Sequence, residues 1–136
     1  MKYALILMAA LMAIPAAQAD RFYGPNGSNV GRAERSGNTT RYYDRSGSYI
    51  GSAQHDSNGN TRYYDRSGSY AGSSSRSGDT TRYYDRTGSY SGSASRSGNT
   101  TRYYDRSGSY SGSATESGND TRYYNRNGSY AGSRSR

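Results

Sequence analysis

The chain contains no cysteine and no tryptophan, and it has only one phenylalanine, one histidine and two prolines. Without cysteine there is no disulfide framework, no thiol nucleophile and no Cys-ligated metal site. With His55 as the only histidine, neither a His-based metal site nor a catalytic triad is expected. Beyond residue 19 the only aliphatic side chains larger than alanine are Val30 and Ile50, which excludes the usual aliphatic core. What is abundant is glycine and tyrosine, with 18 and 17 residues in a chain of 136. Basic residues number 18 against 10 acidic ones, for a net charge of +8.

The N-terminus reads as an export signal. Met1-Lys2 is followed by an unbroken apolar run over residues 4–14, then Pro15 and the small-x-small pattern Ala17-Gln18-Ala19. The run is too short for a span of about 20 residues. Residues 1–19 are therefore expected to be a cleaved signal peptide, and residues 20–136 a tyrosine- and glycine-rich β-hairpin repeat domain with no transmembrane span. Removing Lys2 from the 18 basic residues leaves 17, all arginine, against the same 10 acids. The expected location is the periplasm, the cell surface or the extracellular space.

Residues 20–136 are a repeat. Its units open at Arg21, Arg41, Arg62, Arg82, Arg102 and Arg122, a period of 20 with one unit of 21. A glycine recurs every half-period, which opposes helix, while Tyr and Thr favour strands. In Asp44-Arg45-Ser46-Gly47-Ser48 the glycine stands where a three-residue hairpin loop needs a left-handed residue. Each unit thus reads as two short strands. The fold class expected is all-β: an antiparallel meander or β-solenoid-like strip of about twelve strands from six repeats.

Pairing outward from the Asp44 turn sets Tyr43 against Tyr49, Tyr42 against Ile50 and Arg41 against Gly51. Pairing outward from the Ser77-Gly78 turn sets Tyr70 against Tyr84. One face would then carry a continuous Tyr ladder, with Arg41, Arg62, Arg82, Arg102 and Arg122 beside it. The other would alternate Tyr42, Ile50, Tyr63, Ala71, Tyr83 and Ser91. Pro25 reads as an edge feature that caps the first strand. Residues 54–60 lengthen one connection without removing a strand, and His55 reads as a solvated residue in that loop.

The run Gly98-Asn99-Thr100, then Arg102-Tyr103-Tyr104-Asp105 and Gly108, resembles the tyrosine–aspartate repeats of bacterial Rhs and wall-associated proteins. That resemblance implies open β-sheet strips with structural or carbohydrate-associated roles and no catalysis.

No residue pattern calls for enzyme chemistry, a cofactor or a metal. Asp44, Asp65, Asp85 and Asp105 recur before the turn glycines Gly47, Gly68, Gly88 and Gly108, which points to a structural turn role. The candidate partner-binding residues are Arg41, Arg62, Arg82, Arg102 and Arg122 with Tyr43, Tyr64, Tyr84, Tyr104 and Tyr124. Arginine beside exposed aromatic rings suits an anionic glycan, lipopolysaccharide or extracellular DNA. The function expected is a non-catalytic structural or adhesive protein of the cell envelope or matrix, self-associating through sheet edges. The alternative is a binding module for those anionic polymers.

Overall fold

The computed structural model describes residues 19–136; the expected signal peptide falls almost wholly outside the described residues. The described chain is twelve antiparallel strands: β1 (Ala19–Tyr23), β2 (Asn29–Ser36), β3 (Thr39–Asp44), β4 (Tyr49–His55), β5 (Asn60–Asp65), β6 (Tyr70–Ser77), β7 (Thr80–Tyr84), β8 (Tyr90–Ser97), β9 (Thr100–Asp105), β10 (Tyr110–Ser117), β11 (Asp120–Asn125) and β12 (Tyr130–Ser135). Each strand pairs with its sequence neighbours, and β1 also pairs with β12 through Arg21–Ser135, Phe22–Arg134 and Tyr23–Ser133. The sheet is a closed barrel. It is neither the open meander or solenoid strip expected above nor the strip that the tyrosine–aspartate resemblance implies.

Closure follows from two local features that shift the register. The first is a β-bulge in every even-numbered strand. Tyr104 pairs with Tyr110, but Tyr103 pairs with Gly112, so Ser111 has no partner of its own. Tyr42 accordingly faces Gly51 and not Ile50. The second is the tight Gly-Asn or Gly-Asp turn. Ser97 pairs directly with Thr100, leaving a two-residue loop in which Gly98 has φ +60° and Asn99 a negative φ, the type II′ hairpin. Tyr84 consequently faces Ser73 and not Tyr70.

Together they make a stagger. Tyr43 faces Tyr49 on β4, whereas Tyr64, its equivalent one unit on, faces Ser52. The pairing moves three residues along β4 in passing across it, one of them the bulge. The same step recurs in each unit. A sheet that slips steadily in one direction tilts its strands and curls, and such a stagger is what closing a barrel requires. The two ends therefore meet, and β1 is not the capped free edge that Pro25 implied.

Closure also decides which face is inside. The lumen holds a ring of large side chains from the odd strands: Phe22, Tyr42, Tyr63, Tyr83, Tyr103 and Tyr123, each at most 9% exposed. Each tyrosine ring is flanked by small residues on both sides, whereas Phe22 lies between Gly31 and Arg134. Tyr103 lies between Ala94 and Gly112, and Tyr63 between Ala53 and Gly72. Thr40, Thr61, Thr101 and Thr121 form a second buried tier on the same strands. The core therefore forms with alanine as its largest buried aliphatic side chain, Ile50 packing against it only partly buried. Alternating large and small residues fill the lumen as leucine and valine would elsewhere.

The bulge glycines are lumenal and do not share the outer face with the arginines. Gly92 has φ +151°, and a Cβ there would come within 2.5 Å of the Tyr104 carbonyl oxygen. Gly88 has φ +84° but faces open space. Gly92→Ala should therefore cost on the order of 3 kcal/mol, from strained backbone plus displacement of β9. Gly88→Ala should cost about 1–2 kcal/mol, from its left-handed φ alone. Denaturant midpoints of the two variants check the difference.

Candidate functional site

Strand alternation places the remaining side chains in three zones: the outer wall and the two mouths. On the outer wall, Arg41, Arg62, Arg82, Arg102 and Arg122 are all exposed, one on each odd strand from β3 to β11. Two residues on, Tyr43, Tyr64, Tyr84, Tyr104 and Tyr124 point the same way and are half-buried. Each of these rings meets a second tyrosine across its hairpin, edge to face. The pairs Tyr43–Tyr49, Tyr64–Tyr70, Tyr84–Tyr90, Tyr104–Tyr110 and Tyr124–Tyr130 have centroids 6.1–6.4 Å apart and interplanar angles of 69–74°. Such pairs contribute about 0.5–1.5 kcal/mol beyond burial. All ten candidate binding residues thus lie on one surface. The tyrosines form five discrete pairs and not a continuous ladder, because the register slips between hairpins.

The first unit differs in one position. Arg32 lies over Tyr43 with its guanidinium carbon 4.4 Å from the ring centroid. Ser52, Ser73, Ser93 and Ser113 stand opposite Tyr64, Tyr84, Tyr104 and Tyr124, where Arg32 stands opposite Tyr43. The face that Arg32 covers at Tyr43 is therefore not covered by arginine in the next four units. Among the described residues, none of the five outer-wall arginines has a carboxylate within 4.0 Å, and Arg62 alone of them acts on a carboxylate at longer range, that of Asp56.

The mouth at the three-residue turns is laced by charge. Asp65 Oδ1 accepts the Ser67 N–H, the Ser67 hydroxyl and the Ser69 N–H at 2.6–3.0 Å. Its Oδ2 accepts from Arg86 of the next hairpin at 3.2 Å. Asp85 and Asp105 repeat this with Arg106 and Arg126. Asp44 makes the same turn bonds to Ser46 and Ser48. Side-chain and backbone hydrogen bonds from the turn hold the carboxyls of Asp44, Asp65 and Asp105 below the usual range, and the Thr87 hydroxyl does so for Asp85. Each carboxylate is thus committed to its turn. Gly47, Gly68, Gly88 and Gly108 close those turns, each N–H donating to the aspartate carbonyl at 3.0 Å.

The opposite mouth carries Arg35, His55, Arg76, Arg96, Glu116 and Arg136, each two residues beyond a lumenal position. His55 is not a solvated loop residue. It ends β4 with its ring between the Thr40 and Thr61 hydroxyls at 3.1 and 3.0 Å, and burial followed by the nearby Arg35 lowers its pKa. The lengthened connection instead begins at Asp56, which caps Asn58 and Asn60 as Asp44 caps its own turn. Arg96 pairs with Glu116 at 2.7 Å.

Two residues break the lumenal pattern, and both sit where β1 meets β12. Asp20 stands where the other odd strands have threonine, and Arg134 where the other even strands have alanine or serine. Both are at most 2% exposed, with Arg134 Nη1 3.5 Å from Asp20 Oδ2 and Arg134 Nη2 donating to Thr121 at 3.1 Å. Arg134 was readable from the sequence, since it departs from the column Ala53, Ser74, Ala94, Ala114. Its meaning was not readable, because an open strip has no seam.

Among the described residues no group of three or more His, Asp or Glu is placed to hold a metal ion. No described helix is long and apolar enough to cross a membrane. The outer wall presents arginine and serine at mid-strand, on strands of five to eight residues. This contrasts with the apolar band, about 25 Å tall, of a transmembrane barrel. No protein-family model matches the chain, and no curated protein matches it either.

Proposed function

We propose that the chain is a non-catalytic binding barrel that grips an anionic polysaccharide along its outer wall. One observation carries this reading. Five equivalent units, each an exposed unpaired arginine two residues from an edge-to-face tyrosine pair, are spaced around one surface. Alternate strands lie about 9–10 Å apart, so successive units offer a polymer evenly spaced contacts. Arginine supplies long-range attraction and bidentate bonds to carboxylate or sulfate. The tyrosine edges and hydroxyls supply a flat, partly polar surface suited to sugar rings. Each contact is weak, and strength comes from engaging several at once. Self-association through sheet edges is not part of this reading, because a closed barrel has no edge to offer.

Polygalacturonate, a carboxylated glycan, is the test probe. Its affinity should fall by about tenfold in Arg82→Gln/Arg102→Gln and fall steeply with rising salt. Tyr84→Ala should weaken it further without a change in salt dependence. Binding that ignores both arginines, or that is equally strong for an uncharged dextran, overturns the reading.

A further inference from the structure

The lumen is not filled evenly. The tyrosine ring closes its middle, and the tier beneath it, towards the three-residue turns, is set by the residues at the bulges. These are Val30, Ile50, Ala71, Ser91, Ser111 and Ala131, one for each even strand. Ile50 packs against the ring cluster of Phe22, Tyr42 and Tyr63. Ala71 and Ser91 are too short to do the same. A cavity of about 540 Å³ opens there, walled by Tyr42, Tyr63 and Tyr83 with Ile50, Ala71 and Ser91. Cavities of about 300–1,000 Å³ in barrel mouths are the usual size and place for small-molecule sites.

The lining fixes the chemistry of the occupant. Three phenol rings, an isoleucine and an alanine form an apolar wall. Of that wall's hydroxyls, that of Tyr63 bonds Ser74 at 2.8 Å, whereas that of Tyr83 is buried with no hydrogen-bond partner among the described residues. At the rim, Asp65 and Asp85 are committed to their turns and to Arg86 and Arg106. Arg66 also lines the cavity, and it has no carboxylate within 4.0 Å among the described residues. The rim therefore presents above an apolar chamber one cation that makes no short-range ion pair, the nearby Asp44 carboxylate acting on it only at longer range.

The geometry points to a binding site for a small organic anion, an aromatic or short aliphatic body seated under Tyr42, Tyr63 and Tyr83 with its acidic group at Arg66. The cavity holds the liquid-volume share of about eighteen waters, which accommodates a two- or three-ring body and excludes a polymer. The site uses none of the five arginines proposed to contact glycan, although Tyr64 and Tyr84 of the outer-wall pairs also contribute to its lining.

Two fluorescent probes test it on the full chain: anilinonaphthalene sulfonate, which is anionic, and its uncharged analogue phenylnaphthylamine. One molecule of the sulfonate should bind per barrel. Ala71→Ile/Ser91→Ile should weaken both probes by at least about tenfold. The fold should tolerate this change, because Ile50 already occupies the equivalent position, and an unchanged circular dichroism spectrum and melting temperature check that. Arg66→Gln should weaken the sulfonate about fivefold and leave the neutral probe unchanged. Arg82→Gln/Arg102→Gln should alter neither. Probe binding that survives filling of the cavity in a folded variant overturns the site. Equal loss of both probes on Arg66→Gln, or loss of neither, overturns the assignment of the acidic group.

Discussion

Raising the pH above 10 should unfold this barrel in one narrow step. The cause is the ring of lumenal phenols. Burial pushes Tyr63 and Tyr123 up to about 12, and it pushes Tyr42, Tyr83 and Tyr103 up further still. An unfolded chain releases the same protons near pH 10. The folded state therefore binds more protons than the unfolded state throughout that interval. Stability is intact below about pH 10 and falls continuously as pH rises towards the folded values. A shift of two units corresponds to about 3 kcal/mol for each phenol. Five such groups together come to about 14 kcal/mol, the upper end of the roughly 5–15 kcal/mol that holds a domain folded, so the barrel should not survive to the folded pKa values themselves. In a titration followed by phenolate absorbance and circular dichroism, the stage carried by five tyrosines should coincide with loss of the strand signal. The hydroxyls of Tyr83, Tyr103 and Tyr123 have no hydrogen-bond partner among the described residues. Changing these three to phenylalanine, the residue already present at Phe22, should move the alkaline midpoint upward. It should also add about 1 kcal/mol or more at neutral pH by removing buried unsatisfied groups. A midpoint that does not move in the triple variant would show that the lumenal phenols do not drive the transition.

Much of this structure is legible in one unit of the sequence. Asp44 through Tyr49 specifies its hairpin, because the glycine needs a left-handed φ and the aspartate has three turn donors within reach. The strand content, the position of the loops and the sharing of one face by Arg62 and Tyr64 follow from the same local chemistry. Closure does not. It arises from a bulge of one residue and a turn of two residues, and each changes the pairing by an amount that only matters when repeated around the sheet. A three-residue loop at the Asp44 turn sets Arg41 against Gly51 and so puts that glycine on the outer face. In the barrel it faces a strand backbone, where nothing larger fits. The candidate arginines and tyrosines still share a face, because a register change of even net size does not move a side chain through the sheet. Their grouping into separate pairs, and the cavity under Ala71, depend on the stagger and could not be read from one unit.

Arg134→Ala should be among the most destabilising single substitutions in the chain, at about 3–5 kcal/mol. It removes the guanidinium that lies beside the buried Asp20 carboxylate and donates to Thr121. The double variant Asp20→Thr/Arg134→Ala should recover most of this loss. It installs the threonine and alanine that the other strands use at the same two places, and a buried ion pair is often no more stabilising than the neutral residues that replace it. Denaturant midpoints of wild type, single and double variants check the sign of the coupling; a double variant as unstable as Arg134→Ala would refute it. The recovered stability should come with a loss of uniqueness. Every internal hairpin has its register fixed by its own turn, but β1 and β12 are joined by no turn and pair through only three described positions. With near-identical units, the neutral seam would let β1 of one molecule pair with β12 of another nearly as well as with its own. The Asp20–Arg134 pair makes the two ends complementary to each other in one register. The double variant should therefore be close to wild type in stability at low concentration but form dimers and higher species as concentration rises, which sizing chromatography resolves.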